Sequence, residues 1–125
     1  MRVRPAEPAV VELPGEIELD GEVGLVSEIE LDGEIEPEGT DPAYAALRAA
    51  VASGVPMVIA DLTGTTFCNY PGFRQLVMIG RQAATGDVQL RVAMPADGSV
   101  RSWLEFLARH RLVRAYPGIE AAKTA

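Results

Sequence analysis

The chain has 125 residues, 48% of them hydrophobic, which is the length and apolar content of one globular domain. Its single cysteine, Cys68, excludes an intrachain disulfide framework, and together with the single histidine, His110, it excludes the usual four-ligand zinc site. The net charge of −7 is uneven: residues 1–41 carry −11 and residues 42–125 carry +4, so the acidic first third repels phosphate and speaks against nucleic-acid binding as the main role. No apolar run approaches the roughly 20 residues that cross a bilayer, and charges and prolines interrupt the N-terminus where a signal peptide needs an apolar core. A cytoplasmic protein without membrane insertion is expected.

Met1 to Pro8 reads as a mobile end. The acidic segment that follows holds an internal repeat, in which Glu16-Ile17-Glu18-Leu19-Asp20-Gly21-Glu22 recurs twelve residues later as Glu28-Ile29-Glu30-Leu31-Asp32-Gly33-Glu34. Alternating acid and aliphatic residues have the period of a strand, and Asp-Gly is a strong hairpin turn. Short antiparallel strands are therefore expected at Val10 to Leu13, Glu16 to Leu19, Glu22 to Val26, Glu28 to Leu31 and Glu34 to Glu36. Two near-equivalent copies can compete for one neighbour, which makes strand exchange in a homodimer a hazard of this segment.

Beyond Glu36 the pattern changes. Thr40 or Asp41 suits an N-cap before Pro42, and Tyr44, Leu47 and Val51 recur at helical spacing up to Gly54. Met57 to Leu62 is a nearly continuous apolar run, as in a parallel strand buried on both faces. A second helix opens around Pro71, with Phe73, Leu76, Val77, Gly80 and Ala84 inward. Val88 to Ala93 then reads as a strand, the stretch after Pro95 to Gly98 as a helix carrying Val100, Trp103, Leu104 and Leu107, and Leu112 to Tyr116 as an edge strand. Ile119 to Ala125 reads as a frayed terminal helix. Trp103 and Phe106 are expected in the core.

The order hairpin, helix, strand, helix, strand, helix, with the words Gly33-Glu34-Ile35, Val58-Ile59-Ala60-Asp61-Leu62-Thr63-Gly64 and Asn69-Tyr70-Pro71-Gly72, resembles a STAS domain, the family that includes bacterial anti-sigma factor antagonists. The resemblance runs from about Ser27 to Ala122. It implies an α/β fold with a small mixed β-sheet and helices packed on one side, residues 27–125 forming the domain and residues 1–26 an extra strand-rich N-terminal extension. In that family a partner kinase, itself the anti-sigma factor, phosphorylates the serine after the second aspartate of the signature. Aligned residue by residue, that aspartate is Asn69 here, the phosphoacceptor position is Tyr70, the next hydroxyl is Pro71, and Gly72 alone is retained. A phenol reaches several ångströms further than a serine hydroxyl, so a serine kinase that reacts at roughly 3–3.5 Å does not use Tyr70 in the same pose.

The resemblance thus implies a non-enzymatic regulator of transcription through a sigma factor. It binds an anti-sigma factor or serine kinase-like protein without the phosphorylation that releases it, so it is constitutive or differently regulated. The expected contact residues are Asp61, Thr65, Asn69, Tyr70, Pro71, Gly72 and Arg74, with Arg48 as an outlying candidate. The alternative is a structural STAS subunit of a larger assembly, such as a lipid-transport ABC system or a scaffold. A small-molecule or enzymatic site at the Asp61 end ranks below both. No cofactor or metal is expected: no glycine-rich phosphate loop is present, and Cys68 and His110 lack the third residue that would orient a nucleophile and its base. Thr65 and Thr66 could replace the missing phosphoacceptor or simply close a turn. His110, between two arginines at a helix end, suits capping or solvent exposure.

Overall fold

Which strands pair is decided by the most apolar segment of the chain. In the structure, a computed structural model that describes residues 8–19 and 42–125, Met57–Asp61 forms strand β3, and Val58, Ile59 and Ala60 in it are fully buried. Strand β1, Ala9–Glu12, lies along one edge of β3 in parallel register, from Ala9 opposite Val58 to Glu12 opposite Asp61. Strand β5, Gln89–Ala93, lies along the other edge, also parallel, and β6, Arg114–Tyr116, extends the sheet beyond it, giving the order β1-β3-β5-β6. A second, two-stranded sheet pairs β2, Glu16–Ile17, with β4, Phe67–Cys68, again in parallel.

The α/β class is as the sequence implies, but the strands at 10–13 and 16–19 are not an antiparallel pair. Alternation reports which side chains face inward and is silent on the partner. The buried strand β3, with both edges open, captures β1, and the short Phe67-Cys68 segment captures β2. Leu13 and Ile17, within the expected extension 1–26, lie in the main core at 4% and 0% exposure, while the expected boundary at residue 26 lies outside the described residues. The expected strands at 22–26, 28–31 and 34–36, the N-cap at Thr40 or Asp41, and most of the Met1 to Pro8 end lie outside the described residues.

Three helices fill the crossovers. Helix α1, Pro42–Ala52, buries Tyr44 and Leu47 completely and ends before Gly54, whose φ of +91° suits glycine. Helix α2, Tyr70–Thr85, buries Gly72, Phe73, Leu76, Ile79 and Ala83, so its inner stripe runs through Ile79 and Ala83 and leaves the expected Ala84 exposed. Helix α3, Gly98–Arg109, buries Val100, Leu104 and Leu107. All three join one core with Val58, Ala60, Leu90 and Val92. The short helix α4, Ile119–Thr124, instead covers the other face, where Ala122 meets Ile59 and Ala93. The sheet is therefore covered on both faces, as a parallel sheet requires, rather than on one. Arg91 on that second face is 8% exposed; its Nη1 donates to the Ala122 carbonyl at 2.6 Å, and its guanidinium lies 5.3 Å from the Tyr116 ring centroid. No helix among the described residues is long and apolar enough to cross a membrane.

Candidate protein-docking site

The carboxyl ends of β1 and β3 are followed by two turns that lock together. Asp61 Oδ1 accepts from both the Thr63 N–H at 2.9 Å and the Thr63 hydroxyl at 2.6 Å, an Asx turn that redirects the chain after β3. Thr65 is 1% exposed and donates its hydroxyl to the Pro14 carbonyl at 2.8 Å. Thr66, which is exposed, donates its hydroxyl to the Gly15 carbonyl at 3.2 Å. Thr65 is thus a turn-closing residue and not a contact residue or a replacement phosphoacceptor, because its oxygen is enclosed where it satisfies a carbonyl that would otherwise be orphaned.

The start of α2 is fixed by Asn69. Its backbone is extended, its Oδ1 accepts from the Gly72 N–H at 3.1 Å as an N-cap, and the same oxygen accepts from the Leu19 N–H at 3.2 Å. The amide nitrogen donates to the Leu19 carbonyl at 3.0 Å, and the Asn69 N–H donates to the Ile17 carbonyl at 3.0 Å. One side chain therefore caps the helix and continues the pairing of β2 past its last strand residue. Gly72 sits beneath it. A Cβ there would meet Cys68 Sγ at 2.7 Å and Ile17 Cγ2 at 2.9 Å, so the close approach of helix to strand needs glycine. The Tyr44 hydroxyl donates to the Gly72 carbonyl at 2.9 Å from within the core. Burial raises the Cys68 pKa to about 12, against a smaller opposing effect of the Tyr44 hydroxyl, so this residue is a packed thiol and not a nucleophile.

On this frame Tyr70 is 50% exposed at the first position of α2, with Pro71 behind it and the half-buried Arg74 one turn on. Arg48 is turned aside, donating to Gln75 Oε1 at 3.0 Å. Phe73, three residues from Tyr70 on the same helix face, is mostly buried, and its ring centroid lies 5.9 Å from that of Trp103. Trp103 meets Phe106 edge to face at 5.7 Å, and Phe106 meets His110 at 4.5 Å. Trp103 and Phe106 are 48% and 44% exposed, so the aromatic residues expected in the core line the surface beside α2. The sequence does carry the signal. Val100, Leu104 and Leu107 already complete one buried stripe, and Trp103, Phe106 and His110 form a second at the same helical spacing, more apolar surface than one side of a helix can bury.

The structure therefore brings Asn69, Tyr70, Pro71, Gly72 and Arg74 together at one helix start, adds an aromatic face, and withdraws Thr65. Asp61 is committed to its turn. Compared with protein-family models, with curated proteins and with solved structures, the chain matches none of them.

Proposed function

We propose that this protein is a non-enzymatic regulator of the bacterial cytoplasm, similar in role to an anti-sigma factor antagonist, that holds a serine kinase-like anti-sigma factor against the start of α2 without phosphoryl turnover. The observation that carries the reading is Tyr70, half exposed at the phosphoacceptor position on a helix start that Asn69 and Gly72 hold rigid. A rigid aromatic anchor loses little side-chain freedom on docking, and the adjoining Trp103 and Phe106 supply the kind of surface that carries binding energy between proteins. Phosphate on a serine adds a charge of about −1.5 to −2 and disrupts an apolar contact; a tyrosine in that place leaves the contact intact in the presence of ATP.

The test is calorimetric titration of the purified protein with the kinase-like anti-sigma factors of its own organism. Binding that persists with ATP, with no phosphate incorporated and affinity lost by about tenfold or more in Tyr70→Ala, is the expected result, a hot-spot loss of at least ~1.4 kcal/mol. Phosphate incorporation into the wild type, affinity unchanged by Tyr70→Ala, or failure of every such factor to bind overturns it. The variant Tyr70→Ser with Pro71→Ser, which keeps the Asn69 clasp, then becomes a substrate of the same kinase.

A further inference from the structure

The three aspartates among the described residues differ in what holds the amide that follows them. Asp61 keeps its Oδ1 in the Thr63 turn, and the next N–H, that of the buried Leu62, donates to the Ala93 carbonyl at 2.9 Å. Asp87 is followed by Val88, whose N–H donates to the Ala83 carbonyl at 2.8 Å and whose branched side chain crowds the bond between them. Asp97 is followed by Gly98. It stands at the N-cap of α3 with an extended backbone, φ −160° and ψ −174°, yet its carboxylate makes no capping bond. Among the described residues, no hydrogen bond or ion pair engages either that carboxylate or the Gly98 N–H.

An aspartate at an N-cap ordinarily accepts from a backbone N–H two or three residues on, which holds its carboxyl group away from the next amide. Here that restraint is missing. Both residues are exposed, Gly98 has φ +96°, and a Cβ built on it would meet nothing within 4 Å, so neither a side chain nor a neighbour shields its nitrogen. The flanks are fixed: Arg101 Nη1 donates to the Pro95 carbonyl at 3.1 Å, and Val100, 2% exposed, anchors the first turn of α3. Bringing the Gly98 nitrogen onto Asp97 Cγ then takes rotation of the one peptide plane between them, which the conformational freedom of glycine permits.

We infer that Asp97-Gly98 is a site of spontaneous covalent isomerisation, in which the aspartate passes through a succinimide to isoaspartate at the entry to α3. The Gly98 nitrogen adds to Asp97 Cγ and gives its proton to solvent; the bond from Cγ to its hydroxyl oxygen breaks, and that oxygen leaves as water. A second water then opens the ring. Attack at Cγ returns aspartate, whereas attack at the main-chain carbonyl carbon breaks its bond to the Gly98 nitrogen and leaves the chain running through Cβ and Cγ, with a free carboxylate on Cα. One water is lost and one taken up, so the mass is unchanged and nothing is oxidised or reduced. The backbone becomes longer by one carbon just ahead of the turn that Val100 anchors, so α3 shifts or frays at its start. Nothing in this chemistry depends on what docks beside α3.

The experiment ages the full chain in warm, mildly acidic buffer, digests it with trypsin, and measures isoaspartate in each peptide by transfer of a labelled methyl group from an isoaspartate-specific methyltransferase. Cleavage after arginine puts Asp61, Asp87 and Asp97 in the separate peptides 49–74, 82–91 and 92–101, and the Asp-Gly pairs at 20–21 and 32–33 in another. Label in 92–101 is expected to exceed that in 49–74 and 82–91 by about tenfold or more, since there alone the amide and the carboxyl group are both free to meet. Asp97→Ser, which removes the electrophile and keeps a capping side chain, is expected to abolish it. Aged wild type is expected to melt a few degrees below aged Asp97→Ser. Label in 92–101 no greater than in the two control peptides, or isomerisation of the free peptide 92–101 with none in the folded chain, overturns the inference, as does an isoaspartate-bearing chain that melts with aged Asp97→Ser.

Discussion

At Asn69 one amide meets two opposite demands, since Leu19 presents both its N–H and its carbonyl to that side chain. Aspartate could cap the helix and accept from Leu19 N–H, but it would turn a second carboxylate oxygen toward the Leu19 carbonyl where the amide now donates. A buried acceptor left facing an acceptor costs about 1–3 kcal/mol. Asn69→Asp is therefore expected to lower stability by that order, and Asn69→Ala by more, because it also removes the cap. Urea denaturation of the three proteins checks the order, and an aspartate variant as stable as the wild type would refute the clasp. Asparagine at this position thus has a structural consequence of its own. It was not legible in the sequence, because Leu19 lies 50 residues away and nothing local to Asn69 announces it.

At the scale of elements, α3 carries two stripes and only one of them is buried. The ring pairs of Trp103 with Phe73 and Phe106 are worth about 0.5–1.5 kcal/mol each, small against the buried stripe of Val100, Leu104 and Leu107. Trp103→Ala is accordingly expected to remain folded, with a midpoint lowered by a few degrees, while binding of the proposed kinase-like partner drops at least as far as in Tyr70→Ala. Circular dichroism and calorimetry on one preparation separate the two effects, and a variant that binds normally removes α3 from the docking face. The elements themselves were readable where local chemistry decides them: the apolar run of β3, the Asn69 and Pro71 signals at the start of α2, and the Gly86-Asp87 stop. Pairing was not, because Glu16-Ile17 looks the same beside a hairpin partner as beside Phe67-Cys68. The exposure of Trp103 was hidden for a related reason, since an apolar side chain does not state how far its own chain covers it.

Over the whole molecule, residues 8–19 of the acidic first third belong to the same core as the α/β remainder despite the difference in charge. Strand β1 occupies one edge of β3, Leu13 N–H donates to the Asp61 carbonyl at 2.9 Å, and Ile17 is fully enclosed beside Gly72. Burying a leucine or isoleucine side chain contributes about 1.5–3 kcal/mol, and small domains have only about 5–15 kcal/mol of net stability. Removing residues 1–26 deletes both side chains, bares the edge of the most buried strand, and strips the Leu19 partner from Asn69. The truncated chain is therefore expected to lose its cooperative thermal transition, and with it the proposed docking face, rather than to survive as a free-standing domain. A sharp transition near the wild-type midpoint would show that residues 28–31, in the second copy of the repeat, can take the place of the first. That outcome would return the domain boundary to residue 26 and make the repeat a spare strand, a source of exchange between chains.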